Sequence, residues 1–172
     1  MANRTNPATE LVPPARIPGH STGTFQVRRG VKALVASADR VLLVRERHAD
    51  GTPFWSLPGG GAHPGEPLEE ALRREVSEEL RCRCVVGEAV DSVWYVHRSL
   101  QRQASVYVVL DCRLLDEPTA MDGEGIDEVQ WVHPSELPPR TLPQVLSVVR
   151  EVDPGDRCRH GPADTPDGGS PE

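Results

Sequence analysis

Apolar and polar positions change their spacing several times along this chain, and each change marks an element. Val27 to Ser37 is a β-rich run, Ala38-Asp39-Arg40 makes a tight connection, and Val41 to Arg47 supplies a second strand, which together predict a hairpin. His48 to Pro53 is a loop, and Phe54 to Leu57 a short strand that feeds a glycine run. From Pro67 to Arg81 the chain has no further glycine or proline, and Leu68, Ala71 and Leu72 form a stripe at helical spacing, so a helix of about four turns is expected. Proline suits the first helical position, and Glu66 before it meets the positive end of the dipole. Cys84 to Val96 and Gln103 to Leu114, separated by the polar turn His97 to Arg102, read as a second and longer hairpin. An acid-rich loop, Leu115 to Gly125, leads to a strand over Ile126 to Val132, a short turn or helix beginning at Pro134 to Leu137, and an amphipathic helix over Leu142 to Val152. Strands and two helices in this order predict an α/β fold, a mixed sheet held between helices in an α/β/α sandwich.

Composition sets the outer limits of this picture. A length of 172 residues suits one domain with tails. Residues 1–24 carry Pro7, Pro13, Pro14 and Pro18 with little periodicity, which predicts an extended or mobile arm, read first as a loose leader and otherwise as cover for a neighbouring subunit in a homodimer. Residues 25–152 form the expected domain, and 153–172, rich in proline, glycine and charge, a disordered tail. A net charge of −7 argues against a nucleic-acid backbone as partner. Of the nineteen basic residues only Lys32 is a lysine, a bias that fits either phosphate binding by arginine or plain genome composition. Cys82, Cys84, Cys112 and Cys158 lack zinc-ligand spacing and read as reduced thiols of a cytoplasmic protein. The apolar runs are too short to span a membrane.

The candidate chemistry lies where the helical stripe turns acidic. Glu75, Glu78 and Glu79 continue the apolar face of the helix at i, i+3 and i+4, so three carboxylates converge at the edge of the core. Taken with the helix alone, they fit either a solvated face laced with pairs such as Glu70 with Arg74, or a site for a hard divalent cation that takes oxygen ligands. Gly59, Gly60 and Gly61 just before the helix let backbone approach a ligand, and a carbonyl there can complete a metal site. Arg45 and Arg47 share one face of their strand, where one could meet a phosphate or both could be solvated. Trp94 and Tyr95 point to opposite faces, so at most one ring can stack on a base in a given cleft; core packing is the other reading.

The order Gly60, five residues, Glu66, seven residues, Arg74-Glu75-Val76-Ser77-Glu78-Glu79-Leu80, then Cys82 resembles the Nudix box of the Nudix hydrolases. Arg81 stands where that family usually has glycine, so the helix either ends in a left-handed residue at a cost of about 1 kcal/mol or runs on. The resemblance implies a Nudix-like sandwich and hydrolysis of a phosphoanhydride in a nucleoside diphosphate linked to another group X. It implies Mg²⁺ or Mn²⁺ held by Glu75, Glu78, Glu79 and the Gly59 carbonyl, with Glu66 and Arg74 paired to hold the loop at Gly60 against the helix. A general base is expected from Glu78 or from a later carboxylate, Glu124, Asp127 or Glu128. Arg45, Arg47 and Tyr95 are the candidate substrate contacts, and the partner is a nucleotide or another diphosphate-containing small molecule. The alternative is a Nudix-fold module that binds a nucleotide and regulates without hydrolysis; such modules usually lose box glutamates, and all are kept here.

Overall fold

The computed structural model describes residues 26–96, 103–121, 123 and 125–151. The expected arm, tail and 97–102 turn, together with the candidate base Glu124, lie outside the described residues. In chain order the elements are β1 (Gln26–Leu34), β2 (Ala36–Ser37), β3 (Arg40–Arg47), β4 (Pro53–Ser56), α1 (Leu68–Leu80), β5 (Cys84–Val96), β6 (Gln103–Leu114), β7 (Glu128–Val132) and α2 (Pro143–Glu151).

The strands form two sheets. In the first, β1 runs parallel to β6, and β6 pairs antiparallel with β5 as the second hairpin requires. In the second, β3 pairs antiparallel with β2, β4 and β7. The expected first hairpin is therefore much smaller than its sequence pattern: only Ala36 and Ser37 ladder with Val41 and Arg40. The reason is long-range. One edge of β1 belongs to β6, and the other receives the glycine loop, through Ala33 N–H to Pro58 O (2.8 Å), Val31 N–H to Gly60 O (2.9 Å) and Ala62 N–H to Arg29 O (3.0 Å).

Side chains that alternate along β1 and β3 enter two cores, which makes the architecture three-layered. Val31, Ala33, Leu42 and Val44 meet Ala71, Leu72, Val76 and Leu80 of α1. Leu34, Val41, Leu43 and Trp55 meet Val145, Val148 and Val149 of α2. Trp55 is thus a core residue. Tyr95 and Tyr107 border the second core, whereas Trp94, on the opposite face of β5, is 66% exposed.

Both ends of α1 bear on the loops around them. Pro67 is the N-cap rather than the first helical residue: its backbone is extended (φ −60°, ψ 142°), and its carbonyl accepts the Ala71 amide at 3.0 Å. At the other end Arg81 adopts the left-handed conformation (φ 54°, ψ 29°) and donates its amide to Ser77 O, so the chain turns out as it would with glycine. The helix does not run on.

Candidate active site

The apolar stripe of α1 is buried against β1 and β3, and this fixes the rotation of the helix. Glu75 and Glu79 consequently face the glycine loop that lies along β1. Glu79 is buried, and its Oε2 accepts the Gly59 N–H at 2.8 Å. Burial pushes the Glu79 carboxyl up to about 7, against the lowering by Lys32 and by the Gly59 amide. The Glu75 carboxylate lies against Gly60: a Cβ on that glycine would come within 2.6 Å of Glu75 Oε2. Gly59 has φ +117°, and a Cβ there would meet the Val31 carbonyl oxygen at 2.4 Å. Glycine is required at that position by backbone angle and by space together.

Arg74 ties the loop to the helix. Its Nε and Nη2 form a bidentate pair with Glu66 at 2.9 and 3.0 Å, and Nη2 also donates to Gly61 O at 2.9 Å. Nη1 reaches Glu75 Oε1 at 2.8 Å and Glu78 Oε2 at 3.2 Å. Glu66 further accepts the His63 amide at 2.8 Å. The Arg74 hydrogen bonds and that amide hold the Glu66 carboxyl down at about 2. Glu78 is the most exposed of the three helix acids, at 45% of its side chain.

Beside the loop stands a charged group that no local spacing singles out. Lys32, buried in β1, donates from Nζ to the Gly59 carbonyl and to Glu46 Oε1, the latter at 3.2 Å, and stands 5.6 Å from the centre of the Tyr107 ring. Burial acts to lower its pKa, but Glu46, Glu79, Tyr107 and Tyr95 more than offset this and leave it raised, so the group is an ammonium. Tyr95 packs edge-on against Tyr107 at 5.4 Å, and its buried hydroxyl has no hydrogen-bond partner among the described residues. Burial pushes that phenol up to about 12. No pattern along the chain links Lys32, Glu46 and Tyr107 to the site. The available signal was a single lysine inside the apolar run Val31 to Val35, a position where a charge needs partners.

The remaining candidates form a second group. Arg45 pairs with Glu128 at 2.6 Å and lies over the Trp55 ring, while Arg47 pairs with Asp127 at 2.7 Å. Both arginines are matched by acids at the start of β7. The intervening residue of β3, Glu46, points the other way, to Lys32, so one strand serves both groups.

Among the described residues no three acidic, histidine or cysteine side chains surround a common point. Arg74 holds Glu75 and Glu78, and the Gly59 amide holds Glu79. The donor set still fits a hard divalent cation. It consists of oxygens, and the Gly59 carbonyl already receives a cation, the Lys32 ammonium.

Comparison with known proteins places these elements together. Residues 26–152 match the NUDIX domain. A nucleoside triphosphatase NudI of Salmonella schwarzengrund (strain CVM19633) is 32% identical over 91 residues, 48% of this chain; the chain spans only 64% of that relative's length. In three dimensions the fold resembles the MutT NUDIX hydrolase from Burkholderia pseudomallei, with a TM-score of 0.67 and 24% identity over 74% of this chain and 98% of the other. It also resembles the MutT protein from Methanosarcina mazei Go1, with a TM-score of 0.63 and 22% identity over 78% of this chain and 96% of the other. These two likenesses concern the fold. Since the matched segment takes in the strands, the glycine loop and the acid helix alike, the chain belongs to the Nudix family.

Proposed function

We propose that this protein is a divalent-metal-dependent hydrolase that cleaves a phosphoanhydride bond in a nucleoside diphosphate linked to a further group X. One observation carries the reading: the buried carboxylate of Glu79 is hydrogen-bonded to the amide of Gly59, so an acid of α1 and the glycine loop form one rigid unit. Glu75, Glu78, Glu79 and the Gly59 carbonyl would hold Mg²⁺ or Mn²⁺. Bound there, the ion would supply neutralisation of the phosphate oxygens.

The chain's own groups do the rest. Arg74 and Glu66 fix the loop to the helix, so the segments that carry the ligands are already held together when substrate arrives. Glu78 is our choice for the group that takes the proton of the attacking water, because it is the most exposed of Glu75, Glu78 and Glu79. Glu128 and Glu124 are the alternatives, and Glu128 would first have to loosen its pair with Arg45. Arg45, Arg47 and Tyr95 are the proposed substrate contacts. The NudI relative is described as a nucleoside triphosphatase, and in a nucleoside triphosphate X is phosphate, so nucleoside triphosphates belong among the first substrates to try.

The test is phosphate or pyrophosphate release from nucleoside triphosphates and nucleoside diphosphate derivatives, with Mg²⁺ or Mn²⁺, for the wild type and Glu79→Gln. Metal-dependent turnover that falls by orders of magnitude in a folded variant is expected. Wild-type turnover in that variant would sink the assignment, and silence across the panel with tight nucleotide binding by calorimetry would favour a regulatory module instead.

A further inference from the structure

Lys32 is the only lysine in the chain, and it is placed where a charge is hardest to keep. Its neighbours Val31 and Ala33 are fully buried, and its own side chain is 7% exposed. A buried ammonium persists only when hydrogen-bonded and paired. Here the partners are the Gly59 carbonyl, Glu46 and the face of Tyr107, with Glu79 on the far side of the same loop. The carbonyl it holds is the one assigned above to the metal. A carbonyl oxygen has two lone pairs, so geometry alone would admit two partners. Electrostatics does not: an ammonium and a divalent ion on one oxygen would place like charges within a few ångströms of each other, beside the buried side chains of Lys32 and Glu79.

We propose that Lys32 is the resident cation of this site: its ammonium holds the Gly59 carbonyl and balances Glu46 and Glu79 in the metal-free protein, and a divalent ion gains that carbonyl by displacing it. The inference rests on the metal assignment of the preceding subsection. Lys32 is accordingly a positioning residue that acts through Gly59 and sets how tightly the site takes its metal.

A resident cation and a simple structural clamp predict opposite effects on metal affinity. If Lys32 competes with the metal, Lys32→Met or Lys32→Gln lowers the melting temperature in EDTA, because Glu46 and Glu79 lose their counter-ion, yet tightens Mn²⁺ binding by about tenfold or more. If it only organises the loop, the same variants bind Mn²⁺ more weakly. The measurements are thermal unfolding in EDTA and isothermal titration of the full chain with Mn²⁺. A folded variant that binds Mn²⁺ no tighter than the wild type overturns the proposal.

The wild type supplies a check that needs no variant to fold. With one lysine, ¹⁵N-lysine labelling gives a single side-chain signal, and a buried, hydrogen-bonded ammonium exchanges its protons slowly enough to be followed. Saturation with Mg²⁺ is expected to shift that signal and speed its proton exchange; a signal unchanged at saturation overturns the proposal. Should the wild type bind neither Mn²⁺ nor Mg²⁺, this inference and the metal-dependent reading fail together. Should it bind them with Lys32 undisturbed, only this inference fails.

Discussion

Substitution of Gly59 by alanine tests how tightly the loop is seated on β1. Two costs follow from the coordinates. The first is conformational: φ of +117° is a backbone state that L side chains rarely adopt, and holding one there costs about 1–3 kcal/mol. The second is steric: the new Cβ would stand 2.4 Å from the Val31 carbonyl oxygen and 3.1 Å from the Lys32 Cα, both backbone atoms of β1, which its ladder with β6 keeps from swinging aside. The loop must lift instead, and the Val31–Gly60 and Ala33–Pro58 hydrogen bonds weaken, at about 1 kcal/mol each. The sum is about 3–5 kcal/mol. Gly65 supplies the control, since its φ is +80° but a Cβ there meets nothing within 4 Å. Gly65→Ala should therefore show the cost of backbone angle alone, about 1 kcal/mol. Both variants would be unfolded in urea with EDTA present and compared by midpoint at constant slope. If Gly59→Ala lies within about 1 kcal/mol of Gly65→Ala, the close approach of loop to strand is not a real constraint, and the argument fails.

Arg74→Met should loosen the loop and return the Glu66 carboxyl towards its ordinary value of 4.5, read by NMR titration of the side chain. The sign is fixed by the direction of the shift: a depressed acid adds stability that is complete above pH 4.5 and lost as pH falls towards 2, so in metal-free protein the gap between wild type and variant should close on acidification. A gap independent of pH would contradict this. Leu72→Ala removes a fully buried side chain from the α1 interface and should cost about 3 kcal/mol in denaturant unfolding; a loss under about 1 kcal/mol would mean that α1 is not seated as described.

The local elements were legible because their signals are local. The stripe of Leu68, Ala71 and Leu72 with its proline start produced α1 to within a residue at each end, and the alternation in β5 and β6 gave their limits directly. The first hairpin misled for the complementary reason: a run of strand-forming residues does not say which strand it will pair with, and β1 spends both edges on segments distant in sequence. The left-handed Arg81 shows the same division. Sequence alone left two exits from the helix open, and the requirement to lead into β5 at this point decided between them.

For the candidate site, helical periodicity and a glycine run, both properties of one short segment, marked Glu75, Glu78 and Glu79 together with Gly59, Gly60 and Gly61, while the pairing of Glu66 with Arg74 was implied by the Nudix resemblance and is present in the fold. Sequence could not decide which charges face one another across the fold. Arg45 and Arg47 meet Asp127 and Glu128 because β3 and β7 are neighbours, and Lys32 meets Gly59 and Glu46 because three segments from different parts of the chain close over it. The sequence by itself determined the helix, the strands and the donor chemistry, since each depends on residues within a few turns of one another. Only the tertiary structure decided which of those donors are already occupied, and by what, because burial and charge pairing are set by contacts between residues far apart along the chain.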